Sequence, residues 1–252
     1  MDHAHRKVLL ITGGSRGIGA ATARLAAQRG YAVAINYRRN VEAAEQLVAE
    51  IRSAGGQALA CAADVGIESE VEQLFAAVDA ELGPLSALVN NAGILEQHMP
   101  LSQMSAARLQ RVFTANITGS FLCAREAVKR MSTVNGGAGG AIVNVSSAAS
   151  RLGSPNEYVD YAASKAAIDT LTIGLAKEVA GEGIRVNAVR PGVIYTEIHA
   201  SGGEPERVER VRLQVPMQRG GQPGEVASAI LWLLSKEASY ATGSILDVAG
   251  GR

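Results

Sequence analysis

The chain has few of the residues that build metal centres, disulfide scaffolds or membrane spans. Only two of its 252 residues are cysteine, Cys61 and Cys123, and neither stands in C-x-x-C or mixed Cys/His spacing. Two lone thiols make neither a disulfide framework nor a zinc site, and both read as small buried hydrophobes. Two of the four histidines fall in the first five residues, while His98 and His199 are isolated, so no metal constellation is expected. No apolar run approaches the ~18 residues of a membrane helix, and the early stretch KVLLIT is too short for a secretory signal. Net charge is lacking too, with 24 Lys and Arg against 24 Asp and Glu. That balance counts against a nucleic-acid binder and against an acidic disordered tail. A cytoplasmic protein engaging neither nucleic acid nor membrane is the expectation.

Glycine, in contrast, is plentiful: 28 residues, about half again the usual share of ~7%. No G-X-Y period accompanies it, which excludes collagen. Short apolar runs alternate with amphipathic ones along the whole chain. Strands are expected at 7–11, 32–36, 57–62, 87–90, 141–146, 184–189 and 244–248. Helices are expected at 17–29, 41–54, 67–82, around 102–131, 160–180 and 223–235. The strands are continuous apolar runs, as in sheets covered on both faces. Seven strand–helix alternations with short links predict an α/β fold: one doubly wound parallel sheet of about seven strands, a Rossmann fold with helices on both faces. No linker interrupts the pattern, so residues 1–252 are expected to form a single domain. The glycine patch at 135–140 reads as a mobile surface loop.

The first strand runs into Thr12-Gly13-Gly14-Ser15-Arg16-Gly17-Ile18-Gly19 and then directly into a helix. A pyrophosphate seeks unpaired backbone N–H groups at a positive helix N-terminus, and side chains there would hold it off. The spacing G-x-x-x-G-x-G departs from the common G-x-G-x-x-G fingerprint, but its place between strand and helix is right. The turn residues Gly13, Ser15, Arg16, Gly17, Ile18 and Gly19 are therefore candidate cofactor contacts. The second strand ends Asn36-Tyr37-Arg38-Arg39, where NAD binders usually place a carboxylate for the ribose 2′-hydroxyl. Guanidinium groups instead suit a 2′-phosphate. NADP is thus expected over NAD, with Asn36, Tyr37, Arg38 and Arg39 near the adenosine ribose.

Tyr161 and Lys165 stand four apart at the start of an expected helix, which puts phenol and ammonium on one face. Tyrosine ordinarily titrates near ~10; an adjacent cation stabilises the phenolate and lowers that value, allowing proton exchange with an alcohol or carbonyl oxygen. Such a pair also occurs on helices that perform no chemistry. Tyr158 competes for the role, but four residues on from it is Ala162, not a lysine. Ser146 and Ser147 end the strand upstream, at the carboxyl edge where ligands bind in such sheets.

Taken together, these motifs resemble those of the short-chain dehydrogenase/reductase family, over nearly the whole chain. Thr12-Gly13-x-x-x-Gly17-x-Gly19 resembles its cofactor turn, Asn90-Asn91-Ala92-Gly93 its N-N-A-G motif, and Asn116 its helix asparagine. Tyr161-x-x-x-Lys165 resembles its catalytic signature, and Pro191-Gly192 with Thr196 its P-G motif. The resemblance implies that Tyr161 protonates the substrate carbonyl oxygen, that Lys165 depresses the tyrosine pKa and binds the nicotinamide ribose, that Ser147 holds the substrate oxygen, and that Asn116 anchors a water in the proton relay. It places Asn90, Ala92, Gly93, Pro191, Gly192, Ile194 and Thr196 around the cofactor, and Asp64 with Val65 at the adenine edge. The Ser147–Tyr161 gap is one residue longer than in many relatives, which leaves Ser146 open by count; the N-V-S-S pattern favours Ser147. Gly66 stands where relatives often carry a threonine helix cap, at a cost of about 0.5 kcal/mol or less.

The implied activity is NADP-dependent reduction of a ketone, aldehyde or 3-oxoacyl substrate. Sugar or secondary-alcohol dehydrogenation, and a non-catalytic NADP-binding regulator on the same fold, are the alternatives. Residues 194–222 resemble the family's mobile lid, with one short helix around 205–214 whose Arg207, Arg210 and Arg212 read as a solvated face. Ser239–Gly243 through Arg252 resembles the end that the family uses in tetramer contacts, so a homotetramer is expected, with a dimer second.

Overall fold

A computed structural model describes residues 7–252; the two N-terminal histidines lie outside the described residues. Seven strands form one parallel sheet: β1 (Val8–Ile11), β2 (Ala32–Tyr37), β3 (Gln57–Ala62), β4 (Leu85–Asn90), β5 (Gly140–Val145), β6 (Ile184–Pro191) and β7 (Ile245–Val248), in the order β3-β2-β1-β4-β5-β6-β7. The expected doubly wound architecture is present. The strand order reverses between β1 and β4, opening the crevice at the carboxyl ends of the strands where ligands bind in such sheets.

Ten α-helices connect the strands. They are α1 (Gly17–Gln28), α2 (Val41–Ser53), α3 (Glu68–Leu82), α4 (Ala106–Phe113), α5 (Gly119–Met131), the short α6 (Ala149–Leu152), α7 (Val159–Val179), the short α8 (Ile198–Ser201) and α9 (Arg207–Val211), and α10 (Pro223–Leu234). Side chains alternate across each strand, and in β1 both faces are apolar. Leu9 and Ile11 join Val33, Ile35, Leu47 and Ile230 in one core, whereas Val8 and Leu10 join Phe75, Leu88, Met131 and Ile142 in the other. Each such side chain, fully buried, stabilises the fold by about 1.5–3 kcal/mol. Cys61 and Cys123 are buried in the second core, where burial pushes their thiols up to about 11 and about 12.

Buried asparagines lock the central strands. Asn90 of β4 donates through Nδ2 to Asn144 Oδ1 of β5 (3.0 Å), and Asn144 donates to Thr172 Oγ1 of α7 (2.9 Å). The segment expected as helix over 102–131 is interrupted: a π-helical turn, Thr114–Thr118, separates α4 from α5, a distortion frequent at functional sites. The glycine patch is not a free loop. Side chains at Gly137 and Gly140 would strike the Arg130 carbonyl oxygen and Met131 Sδ, and β5 starts at Gly140 itself. Gly66 is not a weakened cap either. Ile67 occupies the N-cap of α3, and a Cβ at 66 would lie 2.8 Å from Thr114 Cγ2, which is why a threonine does not fit there.

Candidate active site

A cavity of about 800 Å³ opens along the carboxyl edge of the sheet, from the turn after β1 to the segment 194–207. At its β1 end the chain turns sharply: Gly13 and Gly17 hold φ of +58° and +52°, conformations that glycine adopts without penalty. A Cβ at Gly13 would lie 2.9 Å from Ala92 Cα, and one at Gly17 would lie 3.1 Å from Thr196 Cγ2. Gly19 does not line the cavity. It lies beneath the turn, where a Cβ would come within 2.7 Å of the Gly13 carbonyl oxygen, so its role is packing. Arg16, at the N-cap of α1, makes no side-chain cap to the first turn. The helix's N–H groups and dipole face a cavity lined there by Ser15 and Ile18, a suitable cradle for phosphate.

Asn36 is buried and holds this turn. Its Oδ1 accepts from Gly13 N (3.1 Å), while Nδ2 donates to the carbonyls of Cys61 (3.3 Å) and Ala63 (3.0 Å). Tyr37 does not line the cavity; strand alternation turns it away from the side that Asn36 takes. Arg38 and Arg39 do line it. Arg38 pairs with Asp64 (Nε–Oδ2 2.7 Å), whereas Arg16 and Arg39 form no ion pair among the described residues. Asp64 Oδ1 also accepts from Gly66 N (3.0 Å), so this carboxylate is already held at this end of the cavity, beside Val65.

At the cavity's centre, β4 leads into Asn91, Ala92 and Gly93. Asn91, which the motif reading left without a role, donates to the Thr12 and Gly13 carbonyls (both 2.9 Å), and Thr12 Oγ1 accepts from the N–H groups of Asn91 and Ala92 (both 3.0 Å). Its signal was the unused second asparagine of N-N-A-G. Asn90 does not reach the cavity; it is buried below, bonding Asn144 and the Ser120 carbonyl. Asn116, on the π turn, is fully buried as well. Its Oδ1 accepts from Ile94 N (2.7 Å) and its Nδ2 donates to Ile94 O (3.1 Å) and Ser164 Oγ (3.0 Å), which fixes the cavity wall. A Cβ on Gly93 would lie 3.5 Å from Lys165 Nζ.

Ser147, Tyr161 and Lys165 converge on this wall, with Pro191, Gly192, Ile194 and Thr196 facing them. The structure separates the two serines: Ser146 donates to the Lys165 carbonyl (3.0 Å), whereas Ser147 Oγ accepts from Ala149 N (3.1 Å) and bonds to the Tyr161 phenol. Lys165 Nζ sits 5.6 Å from the centre of the Tyr161 ring and donates to the Val145 carbonyl (2.8 Å). Lys165 is not among the groups that move the Tyr161 phenol here. Burial pushes Tyr161 up to about 12, opposed by the Ser147 hydrogen bond, and pushes Lys165 down to about 8, opposed by Asp169. A desolvated ammonium that spends its proton on a carbonyl gives the phenolate little help.

The far end is closed by the segment expected as a lid, which carries α8, α9 and a 3-10 turn at Arg212–Gln214. Arg210 is exposed and Arg212 half-buried, and each pairs with carboxylates, Arg210 with Glu157 and Glu204 and Arg212 with Glu209. Arg207 is not a solvated group: it is buried, stacks 4.8 Å over the Tyr158 ring, and pairs with Glu157 (2.6 Å) and Glu204 (3.0 Å). Among the described residues, no cluster of His, Cys, Asp or Glu could hold a metal, and no helix is long and apolar enough to cross a membrane.

A doubly wound sheet with a glycine cradle at its switch point, and a tyrosine–lysine pair facing the same crevice, is the architecture of a dinucleotide-dependent oxidoreductase. A family model described as enoyl-(acyl carrier protein) reductase matches residues 13–252. An uncharacterized oxidoreductase of Escherichia coli, YgfF, is 62% identical over 245 residues, covering 97% of this chain and 99% of the relative. 3beta-hydroxysteroid dehydrogenase 1 of Eggerthella lenta is 41% identical over 251 residues, 99% of this chain and 95% of that one. A solved 3-ketoacyl-(acyl-carrier-protein) reductase from Brucella melitensis, complexed with NADH, superposes with a TM-score of 0.90 at 32% identity, covering 98% of each chain. The chain belongs to the short-chain dehydrogenase/reductase family and is an oxidoreductase of that class.

Proposed function

We propose that the protein is an NADPH-dependent carbonyl reductase acting on a ketone, aldehyde or 3-oxoacyl compound. The observation that carries this reading is the convergence of Ser147, Tyr161 and Lys165 on one cavity whose opposite end presents Arg16 and Arg39 with no competing ion pair. The cradle fits a dinucleotide, because Gly13 and Gly17 hold positive φ and pack without side chains against Ala92 and Thr196, which shapes a tight turn at the N-terminus of α1 beside the cavity. Gly13 to Ile18 would hold the pyrophosphate, Arg16 and Arg39 the 2′-phosphate, and Gly93, Lys165, Gly192 and Ile194 the nicotinamide ribose and ring. When bound, the nicotinamide supplies the hydride.

The chain's own residues do the rest. Ser147 and Tyr161 hold the substrate oxygen between two hydroxyl groups, which fixes its orientation. A phenol kept protonated by burial is ready to donate at neutral pH, and its proton moves to the oxygen as negative charge develops there. Lys165 beside it repels cationic ligands and offers a donor to the ribose. Ala92 and Asn116 hold the wall, excluding water from the reacting face. Assembly as a homotetramer belongs to the same reading, as does a cytoplasmic location.

The test is NADPH oxidation by the protein with a panel of ketones, aldehydes and 3-oxoacyl thioesters, run in parallel with NADH. Tyr161→Phe keeps the ring and removes the proton donor; turnover is expected to fall about 10²–10⁴-fold with NADPH binding intact. Near-full activity in Tyr161→Phe sinks the assignment of the proton donor. Equal use of NADH and NADPH sinks the cofactor choice. Tight NADPH binding with no turnover on any substrate points instead to a non-catalytic regulator.

A further inference from the structure

Arg108 lies on α4, fifty-two residues before the residue that it grips, and nothing in its helical spacing singles it out. It is 3% exposed, as is Asp160, the residue immediately preceding Tyr161. The two form a forked pair, with Nε to Oδ2 at 2.7 Å and Nη2 to Oδ1 at 3.2 Å. The third guanidinium nitrogen donates to the Gln97 carbonyl, in the segment that runs on from the cavity wall at Ile94 and Leu95. Asp160 Oδ1 in turn accepts from the Tyr161 backbone N–H (2.9 Å). Tyr158, at the N-cap of α7, makes no side-chain cap of its own, so Asp160 supplies the acceptor that the first turn needs.

We propose that Arg108 and Asp160 are a positioning pair for Tyr161, fixing the first turn of α7 and cancelling each other's charge one residue away from it. The proposal rests on Tyr161 being the proton donor. Arg108 ties three pieces together, α4, the wall after β4 and the start of α7, through a planar fork that a lysine lacks. Its charge also matters. One residue from Tyr161, an unpaired carboxylate opposes phenolate formation, and an unpaired guanidinium favours it. The other charged or titratable groups around Tyr161 are Lys165 and Asp169 on its own helix, and Tyr158, which carries the Arg207, Glu157 and Glu204 ion pairs. Ser147 faces it from the loop after β5.

The test reads Tyr161 directly, without turnover. Protein labelled with [ζ-¹³C]tyrosine and bound to NADP⁺ is titrated by NMR, the Tyr161 resonance being assigned by its loss in Tyr161→Phe. Arg108→Met is expected to raise the Tyr161 midpoint by about 0.5 pH unit or more, Asp160→Asn to lower it by a similar amount, and the double variant to return it to the parent value. Arg108→Lys restores the charge without the fork; its midpoint should match the parent while kcat falls and NADPH affinity holds. If Arg108→Met does not fold, Asp160→Asn, Arg108→Lys and the double variant carry the same comparison. Identical midpoints throughout, or shifts of one sign in both single variants, overturn the proposal. Full turnover in Tyr161→Phe overturns the proton-donor reading instead, and leaves the titration result standing as a statement about the pair.

Discussion

At the reaction centre, burial opposes the ionised form of both Tyr161 and Lys165, and the two effects leave opposite marks on stability. Lys165 falls from its ordinary 10.5 to about 8. Between those values the unfolded chain keeps a proton that the folded chain has released, so stability rises with pH across that window. The desolvation of this one ammonium corresponds to about 3 kcal/mol at most. Tyr161, raised from 10.0 to about 12, has the reverse effect: above its ordinary value the unfolded chain loses the proton first, and stability falls as pH climbs through that higher window. Lys165→Met should therefore flatten the rise in denaturation midpoint that is expected of the parent between its folded value of about 8 and its ordinary 10.5. A variant whose curve stays parallel to the parent's contradicts the buried-ammonium account. The same scale decides the cofactor. Arg38 is shared with Asp64 and Arg39 is not, so Arg39→Ala should cut the NADPH-over-NADH ratio of kcat/KM by about 10–100-fold, for the loss of one charged hydrogen-bonding partner. Arg38→Ala should cut it less. Kinetics with both cofactors give the comparison, and a larger effect at Arg38 reverses the assignment.

The elements most visible in the sequence were those whose residues meet only the sheet. Strands β2 and β6 begin where the apolar runs begin, because a run buried on both faces has no other place to go. What escaped was set by contacts far apart in the chain. The π turn at Thr114–Thr118 leaves no periodic trace, yet it presents Asn116 to the backbone of Ile94. The glycine patch looked mobile because its composition is that of a linker, whereas Gly137 and Gly140 are small in order to pass under Arg130 and Met131. Arg207 looked solvated on a polar helix, and the carboxylate that buries it, Glu157, lies fifty residues away. Its network with Glu204 and Arg210 ties the far wall to the entry of α7. Glu204 is held down to about 2, first by its hydrogen bond to Arg210. A lowered carboxylate stabilises the folded form above its ordinary 4.5 and loses that contribution as pH falls towards its folded value. Arg207→Met leaves Glu157 and Glu204 without this partner, and hydrogen exchange across 198–214 should accelerate about tenfold or more at neutral pH, for a loss of at least ~1.4 kcal/mol. In the parent, the protection of the same segment, corrected for the intrinsic rate at each pH, should begin to fall below about pH 4.5. Exchange unchanged in both cases means that the ion pairs do not hold the wall.

For the whole molecule, strand–helix alternation was enough to give the sheet, because parallel strands need crossover helices and the crossovers have one hand. The cofactor cradle followed, since the switch point of such a sheet is fixed by its strand order. Assembly does not follow from those rules, because the surface that would mediate it has to be soluble in one state and buried in another. Here the edge strand β7 leaves Leu246 exposed, the preceding helix α10 leaves Trp232 exposed, and Tyr240 between them stands entirely in solvent. An apolar group of this kind, on consecutive segments at a sheet edge, is characteristic of an interaction surface. If it joins subunits in the proposed homotetramer, light scattering should return four times the 26.1 kDa chain mass. Leu246→Glu should then reduce that mass to twice the chain mass, because a carboxylate buried at an interface costs several kcal/mol. Turnover should survive in the smaller form, since Ser147, Tyr161 and Lys165 line the cavity of a single chain. A parent of single-chain mass, or a Leu246→Glu variant that stays tetrameric, removes this edge from the assembly.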